Sequence, residues 1–468
     1  MKISEYSKDE FGKMLATVVN SSGPIRSIQH LKGREQQLED ISRSLYTVGR
    51  HIFVCGDRGV GKSSLAATAA YQYQSADAEP IFVSGSPDDT FQSVVANIAV
   101  QALDRSKTEI NKKNTSAVIA FRGLQWSVSN EVSTVDIASQ INSIGDATEL
   151  LKQVARAHSE KPTIVLDEFD TIENVAERAK FASLLKQLGD QQVNLKFLIT
   201  GVGKSCDELL GAHQSAHRQL ATINLPRLGF EGRREIVQDA ADTFEVELDS
   251  DVNWRIALIS DGFPYYVHLL TEKMLWAAFD SKDANPQLGW NEFHEGLRAA
   301  VTATNEELKR PYEKAVLLHA PEWEDIVWST ADGDDLLRSI ASIRSSYEHV
   351  TSRRLGRESI DQQKFGGCIR KLREPAYGSI LKSISGRNGW YEYSEKMLRG
   401  YVRMQAEVNG ITLNGDQAIP RQQMHISNSR TGSYGPSLPR GVDQHRRISP
   451  AEADDAAVKA ERSFQKDE

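Results

Sequence analysis

Residues 51–65 read HIFVCGDRGVGKSSL, and no other stretch constrains the fold of this chain so tightly. Gly56-Asp57-Arg58-Gly59-Val60-Gly61-Lys62-Ser63 fits the spacing G-x-x-x-x-G-K-[ST]. An apolar run leads into it, and the helix-forming KSSLAATAAYQY follows. Glycines let the backbone curl until successive N–H groups point at one anion. The following helix adds its positive N-terminal end. In such a loop Lys62 reaches the β- and γ-phosphates of a nucleotide, the Ser63 hydroxyl holds Mg2+, and Val60 and Ser64 complete the cradle. Asp57 and Arg58, which the pattern leaves free, are expected to face a neighbouring subunit or solvent.

A strand–turn–helix can match this pattern by chance, so hydrolysis calls for a second element. That element is an apolar strand ending in carboxylates, and PTIVLDEFD at 162–170 supplies it. Asp167 at the strand end would hold the hydrated Mg2+, and Glu168 would take a proton from the attacking water. Asp170 is a supporting candidate. Strands often end in solvated acids for no such reason; the intact phosphate loop is what favours the catalytic reading here.

Apolar runs at 51–55, 80–84, 162–166 and 195–200 alternate with helical patterns at 61–75, 90–105, 147–158 and 174–189. Such alternation predicts an α/β fold, a mainly parallel sheet covered by helices. Helices are also expected at 7–20 and 34–48. Residues 106–146 interrupt the pattern as an insertion, with AVIAFRGLQWSVS as a hairpin. From 228 the chain turns helical, at 230–244, 251–260, 264–279 and 291–319. Helices at 335–349 and 358–373 then precede two β-like runs around Gly386-Arg387-Asn388-Gly389. Helix–helix–hairpin is the outline of a winged helix-turn-helix. After about 408 the chain is rich in Gly, Pro, Ser, Gln and Arg, and is expected to be a disordered tail.

The implied division is an N-terminal helix and linker (1–32), a P-loop ATPase domain (33–226), a helical lid (227–300), a winged helix (301–408) and a tail (409–468). A length of 468 residues suits several domains. With 40% apolar and 26% charged residues and no apolar run near ~20 residues, a cytoplasmic protein without a membrane span is expected. The polar N-terminus MKISEYSKDE does not read as a signal peptide. Cys55, Cys206 and Cys368 lie too far apart in sequence for a zinc ribbon and read as small reduced core residues. His213 and His217 are four apart, but no H-E-x-x-H accompanies them.

The net charge is −8, so any nucleic-acid contact needs a local basic face. Residues 364–403 hold nine Lys or Arg against three acids. Gln363, Lys364, Arg370 and Lys371 on one helix, with Arg387 at the hairpin tip, could grip duplex DNA. The same charges could equally be solvated on a protein-docking domain.

Gly33-Arg34-Glu35 before a helix, the phosphate loop, IVLDEFD and the later DGFPYYVHLL together resemble the AAA+ and STAND branch of P-loop ATPases. The likeness is greatest to origin-recognition-type AAA+ proteins with a C-terminal winged helix, and it covers roughly residues 24–280. It implies ATP/ADP as ligand, Gly33 and Arg34 near the adenine, and Thr200 in LKFLITGVG as the residue sensing the γ-phosphate. It implies Arg218 as an arginine finger reaching a neighbouring subunit in a nucleotide-dependent homo-oligomer. Origin-type proteins carry an arginine where this chain has Gly262-Phe263-Pro264-Tyr265-Tyr266. The Gly-x-Pro form resembles the STAND lid, in which the proline region packs on the nucleotide. His268, one turn on, could touch a phosphate, but a satisfied, partly buried histidine is the better expectation. The missing arginine implies a slow, regulated switch. A DNA-linked ATPase, a STAND-like signalling or defence ATPase, and a nucleotide-binding scaffold all remain open, with a protein partner meeting the insertion or the tail.

Overall fold

The computed structural model describes residues 2–105, 118–121, 124–127, 134–203, 218–281, 286–317 and 319–413. Helices α1 (Lys8–Val18) and α2 (Glu35–Leu45) lead into β1 (His51–Cys55) and α3 (Lys62–Tyr73). Then come β2 (Ile81–Ser84), α4 (Phe91–Arg105), a hairpin of β3 (Val118–Phe121) and β4 (Leu124–Ser127), α5 (Thr134–Gln140) and α6 (Ile144–His158). They are followed by β5 (Thr163–Asp167), α7 (Val175–Asp190), β6 (Lys196–Gly201) and β7 (Leu220–Asn224). The main sheet runs β2-β5-β6-β1-β7, with every pairing parallel.

Parallel pairing brings the C-terminal strand ends to one edge. Cys55 is in register with Gly201, and Ser84 with Asp167. The phosphate loop, the acidic strand and the Thr200 strand therefore open on the same side, where such sheets bind ligands. Alternation feeds two cores. Ile52, Val54 and Leu198 join the core on one face, and Phe53, Cys55, Phe197 and Ile199 the core on the other. β7 carries no long apolar run, and its alternating LATIN suits the edge strand it forms.

The helical part comprises α8 (Phe230–Thr243), β8 (Glu247–Leu248), α9 (Ser250–Ile259), α10 (Pro264–Ser281), β9 (Gln287–Leu288) and α11 (Trp290–Ala303). Phe11 of α1 stacks on Phe279 at 4.4 Å between centroids and meets Phe244 at 5.1 Å, so the N-terminal helix packs on this part. The helix expected over 291–319 is two, because Asn305 caps α12 (Glu306–Val316) by accepting the Glu307 N–H at 3.3 Å.

The chain continues through α13 (Glu322–Ala331), β10 (Arg338–Ser339), α14 (Ile340–Ser352), α15 (Gln362–Lys371), β11 (Leu381–Ile384), β12 (Arg387–Tyr393) and α16 (Leu398–Val408). The three strands form an antiparallel sheet in the order β10-β12-β11. The hairpin turns at Ser385-Gly386, three residues ahead of the Asn388-Gly389 turn signal. Asn388-Gly389 lies inside β12, where the register shifts and Gly389 takes φ +77°. Beyond α16, Ile411 and Leu413 are still buried, and Arg255 donates to the Leu413 carbonyl at 3.0 Å. The remainder of the expected tail, much of the insertion, Cys206, and the pair His213 and His217 lie outside the described residues.

α16 is held by buried charge. Asp261, at φ +53°, receives Arg227 at 2.7 Å, Arg403 at 3.1 Å and Arg399 at 3.6 Å. Arg399 and Arg403 also donate to the carbonyls of Ala331 and Gly333. Burial pushes the Arg403 guanidinium down to about 9. Arg255 pairs with Glu407 nearby.

Candidate functional site

The phosphate loop is shaped by backbone that only glycine accepts easily. Gly59 and Gly61 sit at φ +73° and +95°, and a Cβ on Gly56 would lie 2.5 Å from the Leu225 carbonyl oxygen. α3 starts directly after Gly61, so its free N–H groups face the loop. Lys62 Nζ donates to the loop carbonyls of Gly56 at 3.1 Å and Asp57 at 2.9 Å. Burial pushes its ammonium down, while Asp170, Asp167 and Asp57 oppose that shift.

Across the loop stands a compact polar network. Ser63 Oγ donates to Asp167 Oδ1 at 2.9 Å, and Thr200 Oγ1 donates to the same oxygen. The Glu168 N–H is shared between Asp167 Oδ1 and Thr200 Oγ1, both at 3.1 Å. Glu168 is exposed and sits at φ +52°, a left-handed conformation that is uncommon for glutamate. Asp170 accepts the Val202 N–H at 3.1 Å and so ties the acidic turn to the end of β6.

These groups line a cavity of about 660 Å³ with Arg58–Ser64 along one wall. The donor set fits a magnesium nucleotide: loop N–H groups and Lys62 for phosphate, Ser63 Oγ and Asp167 for the metal. When bound, Mg2+ would offset charge on the phosphate oxygens. Pro264 lines the cavity too, its Cγ 3.8 Å from where a Gly61 Cβ would be.

The other sequence candidates divide: Arg34, Ser64 and His268 line this cavity, and Gly33 and Arg218 do not. Arg34 is buried at 4% exposure, donates to the carbonyls of Val60 and Pro226 at 2.9 Å each, and is pushed down to about 10 by burial. It lines the cavity and braces the loop through those two carbonyls. Gly33 packs against Gly232, 3.0 Å from a Gly33 Cβ, and does not line the cavity. Ser64 Oγ accepts the Ile25 N–H at 3.0 Å. Arg218 is exposed just before β7, whose first residue Leu220 is level with His51, at the edge of the sheet away from the phosphate loop. His268 is more buried than expected, at 6% exposure, and its Nδ1 has no hydrogen-bond partner.

Asp57 and Arg58 do not face only solvent or another subunit. Lys396 Nζ binds both Asp57 carboxylate oxygens, at 2.8 and 2.9 Å, and Arg58 pairs with Glu307 at 3.3 Å. The Met397 sulfur would be 2.4 Å from a Cβ on Gly59. Tyr266 Oη donates to the Met397 carbonyl at 2.7 Å. Glu395, Met397 and Glu307 thus close the cavity from the C-terminal part of the chain. Sequence reading missed all of them, since nothing local marks a residue about 250 to 340 positions away as a loop contact.

Part of the basic surplus over 364–403 is withdrawn from the surface or paired. Arg399 and Arg403 are buried, and Lys396 holds Asp57. Lys364 pairs with Glu322 at 3.0 Å, and Lys382 with Glu392 at 3.2 Å. Arg370, Lys371, Arg373 and Arg387 are exposed, with Gln363 beside them on α15. Arg387 lies over the Trp390 ring at 5.8 Å, and Lys371 over Tyr377 at 5.6 Å. Among the described residues, no group of three or more His, Cys, Asp or Glu could hold a metal ion, and no helix is long and apolar enough to cross a membrane. Cys55 and Cys368 are buried thiols, and Cys55 Sγ donates to Asn224 Oδ1 at 2.8 Å.

Residues 30–199 match the family model described as AAA ATPase domain. No curated protein matches the chain significantly. Among solved structures, the Walker-type ATPase PABY2304 of Pyrococcus abyssi is 12% identical, with 82% of this chain and 99% of that one covered at a TM-score of 0.48. The Aeropyrum pernix ORC2 protein, solved as ADPNP–ADP complexes, is 11% identical over 84% and 98% at 0.46. The Thermotoga maritima RuvB Holliday junction branch migration motor is 13% identical over 83% and 98% at 0.39. The region from residue 30 to 199, with its phosphate loop and acidic strand meeting at one edge of a parallel sheet, is an AAA ATPase domain.

Proposed function

We propose that this chain is a slow ATP-dependent switch, in which the nucleotide at Gly59–Ser64 sets whether the C-terminal module stays docked on the phosphate loop. The observation that carries the reading is the contact of Lys396 and Met397 with Asp57 and Gly59. The same loop that would wrap the phosphates is held by residues just ahead of α16. Pro264 and Tyr266 sit at the start of α10, one against the loop and the other on Met397, so a shift of the loop is felt by the C-terminal module.

In the proposed turnover Asp167 and Ser63 would hold Mg2+, which would offset charge at the γ-phosphate end. Thr200 holds Asp167 and the Glu168 backbone. Glu168 takes the proton of the attacking water. Arg218 lies on the far edge of its own sheet, so any phosphate it touched would belong to another copy, as an arginine finger in a homo-oligomer.

The order α13-β10-α14-α15-β11-β12 supports a winged helix, with Gln363, Lys364, Arg370, Lys371 and Arg387 presented to duplex DNA. A second reading, a STAND-like ATPase whose winged helix docks protein, is favoured by the inward turn of Lys396, Arg399 and Arg403. Particle size measured with ADP and with ATP, each with and without duplex DNA, tests the scheme. ATP-dependent assembly supports the switch. Size and DNA affinity indifferent to nucleotide would refute it. Assembly without DNA binding at low salt selects the docking reading.

A further inference from the structure

We propose that His268 is the residue that reads the base of the nucleotide, its Nδ1 hydrogen-bonding the edge of a purine. This rests on the reading that the cavity binds ATP, and it adds a role for a side chain that neither the phosphate loop nor the acidic strand assigns.

The placement follows from helix geometry. Pro264 touches the phosphate loop at Gly61, and α10 runs away from it. His268 is one turn further on the same face, about 6 Å along the axis. Another turn on, Glu272 accepts the Ser21 hydroxyl at 2.8 Å. The segment holding Ser21 is pinned at its other end to α3, because Ser64 Oγ accepts the Ile25 N–H at 3.0 Å and Thr68 Oγ1 donates to the Ile25 carbonyl at 3.1 Å. His268 therefore faces the end of the cavity opposite the phosphates.

The cavity lining includes Ile25, Leu31, Leu228 and Ile236, all buried, beside the polar Asn20, Ser21, Lys32 and Arg34. A slot of apolar side chains suits a flat aromatic base far better than a sugar or a phosphate. Within it, His30 is already engaged, its Nδ1 2.7 Å from Asp239. His268 Nδ1 is buried with no partner. An unsatisfied buried polar atom costs stability unless a ligand completes it. Burial also drives His268 down to about 4, so the ring is neutral at pH 7 and has no charge with which to attract phosphate. On a neutral imidazole Nδ1 either donates or accepts one directional hydrogen bond, according to the tautomer, which is what recognition of a base edge requires.

The test compares ATP with ribose 5-triphosphate, which has the sugar and phosphates but no base. Full-length wild type, His268→Phe, His268→Asn and Lys62→Ala would be titrated with both ligands in Mg2+, and their unfolding midpoints measured. His268→Phe keeps a flat ring without the nitrogen. It should weaken ATP about tenfold and leave ribose 5-triphosphate affinity within about twofold. His268→Asn, whose amide stands where Nδ1 was, should recover most of the ATP affinity. Unchanged ATP affinity in His268→Phe overturns the proposal, as does an equal loss for both ligands. Lys62→Ala separates the two levels of inference. It should lose both ligands, and if it binds ATP like wild type, the site reading itself fails.

Discussion

Replacing Thr200 with valine isolates the polar network at the acidic strand. Thr200 is fully buried, and valine keeps its shape while removing the hydroxyl. That hydroxyl donates to Asp167 Oδ1 and accepts the Glu168 N–H at 3.1 Å. Two supports survive: Ser63 still donates to Asp167 at 2.9 Å, and the Glu168 N–H still reaches Asp167 Oδ1 at 3.1 Å. The network loosens without collapsing: the bond to the Asp167 carboxylate is lost outright, about 1.5–3 kcal/mol, and the Glu168 N–H loses one of its two acceptors. If that bond matters mainly in the transition state, kcat falls roughly 10- to 150-fold. Affinity for ATP should stay within about threefold, because Lys62 and the loop N–H groups are untouched. Phosphate release at saturating ATP, paired with a binding titration and an unfolding curve, separates these terms. A folded Thr200→Val protein that turns over within twofold of wild type would refute the reasoning. A weakened Kd at unchanged kcat would move the bond from catalysis to binding.

Other consequences follow from buried charge. Asp261→Asn can keep the left-handed backbone but leaves Arg227, Arg399 and Arg403 without their carboxylate, so stability should fall by about 3–5 kcal/mol in urea; an unchanged midpoint would show that the carbonyls alone satisfy the arginines. Stability should also fall with acid. Burial, helped by the Lys196 charge, pushes His51 down to about 3, and burial pushes His268 to about 4, while both take up protons near 6.5 once unfolded. The contribution is full above pH 6.5 and is lost as pH falls, about 2 kcal/mol per histidine by pH 5; urea midpoints equal at pH 7 and pH 5 would contradict this. If α15 grips DNA phosphates, Arg370→Ala should lower the slope of log affinity against log salt by about 0.9, and an unaltered slope would remove Arg370 from the interface.

The ATPase core was legible because its signals are local. The glycine spacing adjoins the strand before it, and the carboxylates at 167 and 168 adjoin their own apolar strand; the structure brings these two local motifs together. The C-terminal part hid itself for physical reasons. α16 reads as a charged stretch, since Arg399 and Arg403 break its apolar periodicity. Both are nevertheless buried, because Asp261 and a set of carbonyls, more than 60 residues away in sequence, satisfy them. The same two residues inflated the apparent basic face. β7 was missed as a short edge strand, and the break at Thr304-Asn305 lies in a sequence whose apolar spacing runs on. Asp57 and Arg58 could not be placed from the loop alone, since their partners come from the far end of the chain.

The central claim is that nucleotide governs the contact between residues 395–397 and the phosphate loop. Backbone hydrogen exchange over 394–400 reads it directly, in the Glu168→Gln protein, which should hold ATP without turning it over. The docked contact predicts slow exchange with ADP and clearly faster exchange with ATP, most of all at Met397 and Leu398. Identical exchange in the two states, in a protein shown to bind both nucleotides, would mean that the C-terminal module is a fixed wall of the site and that the chain is no switch.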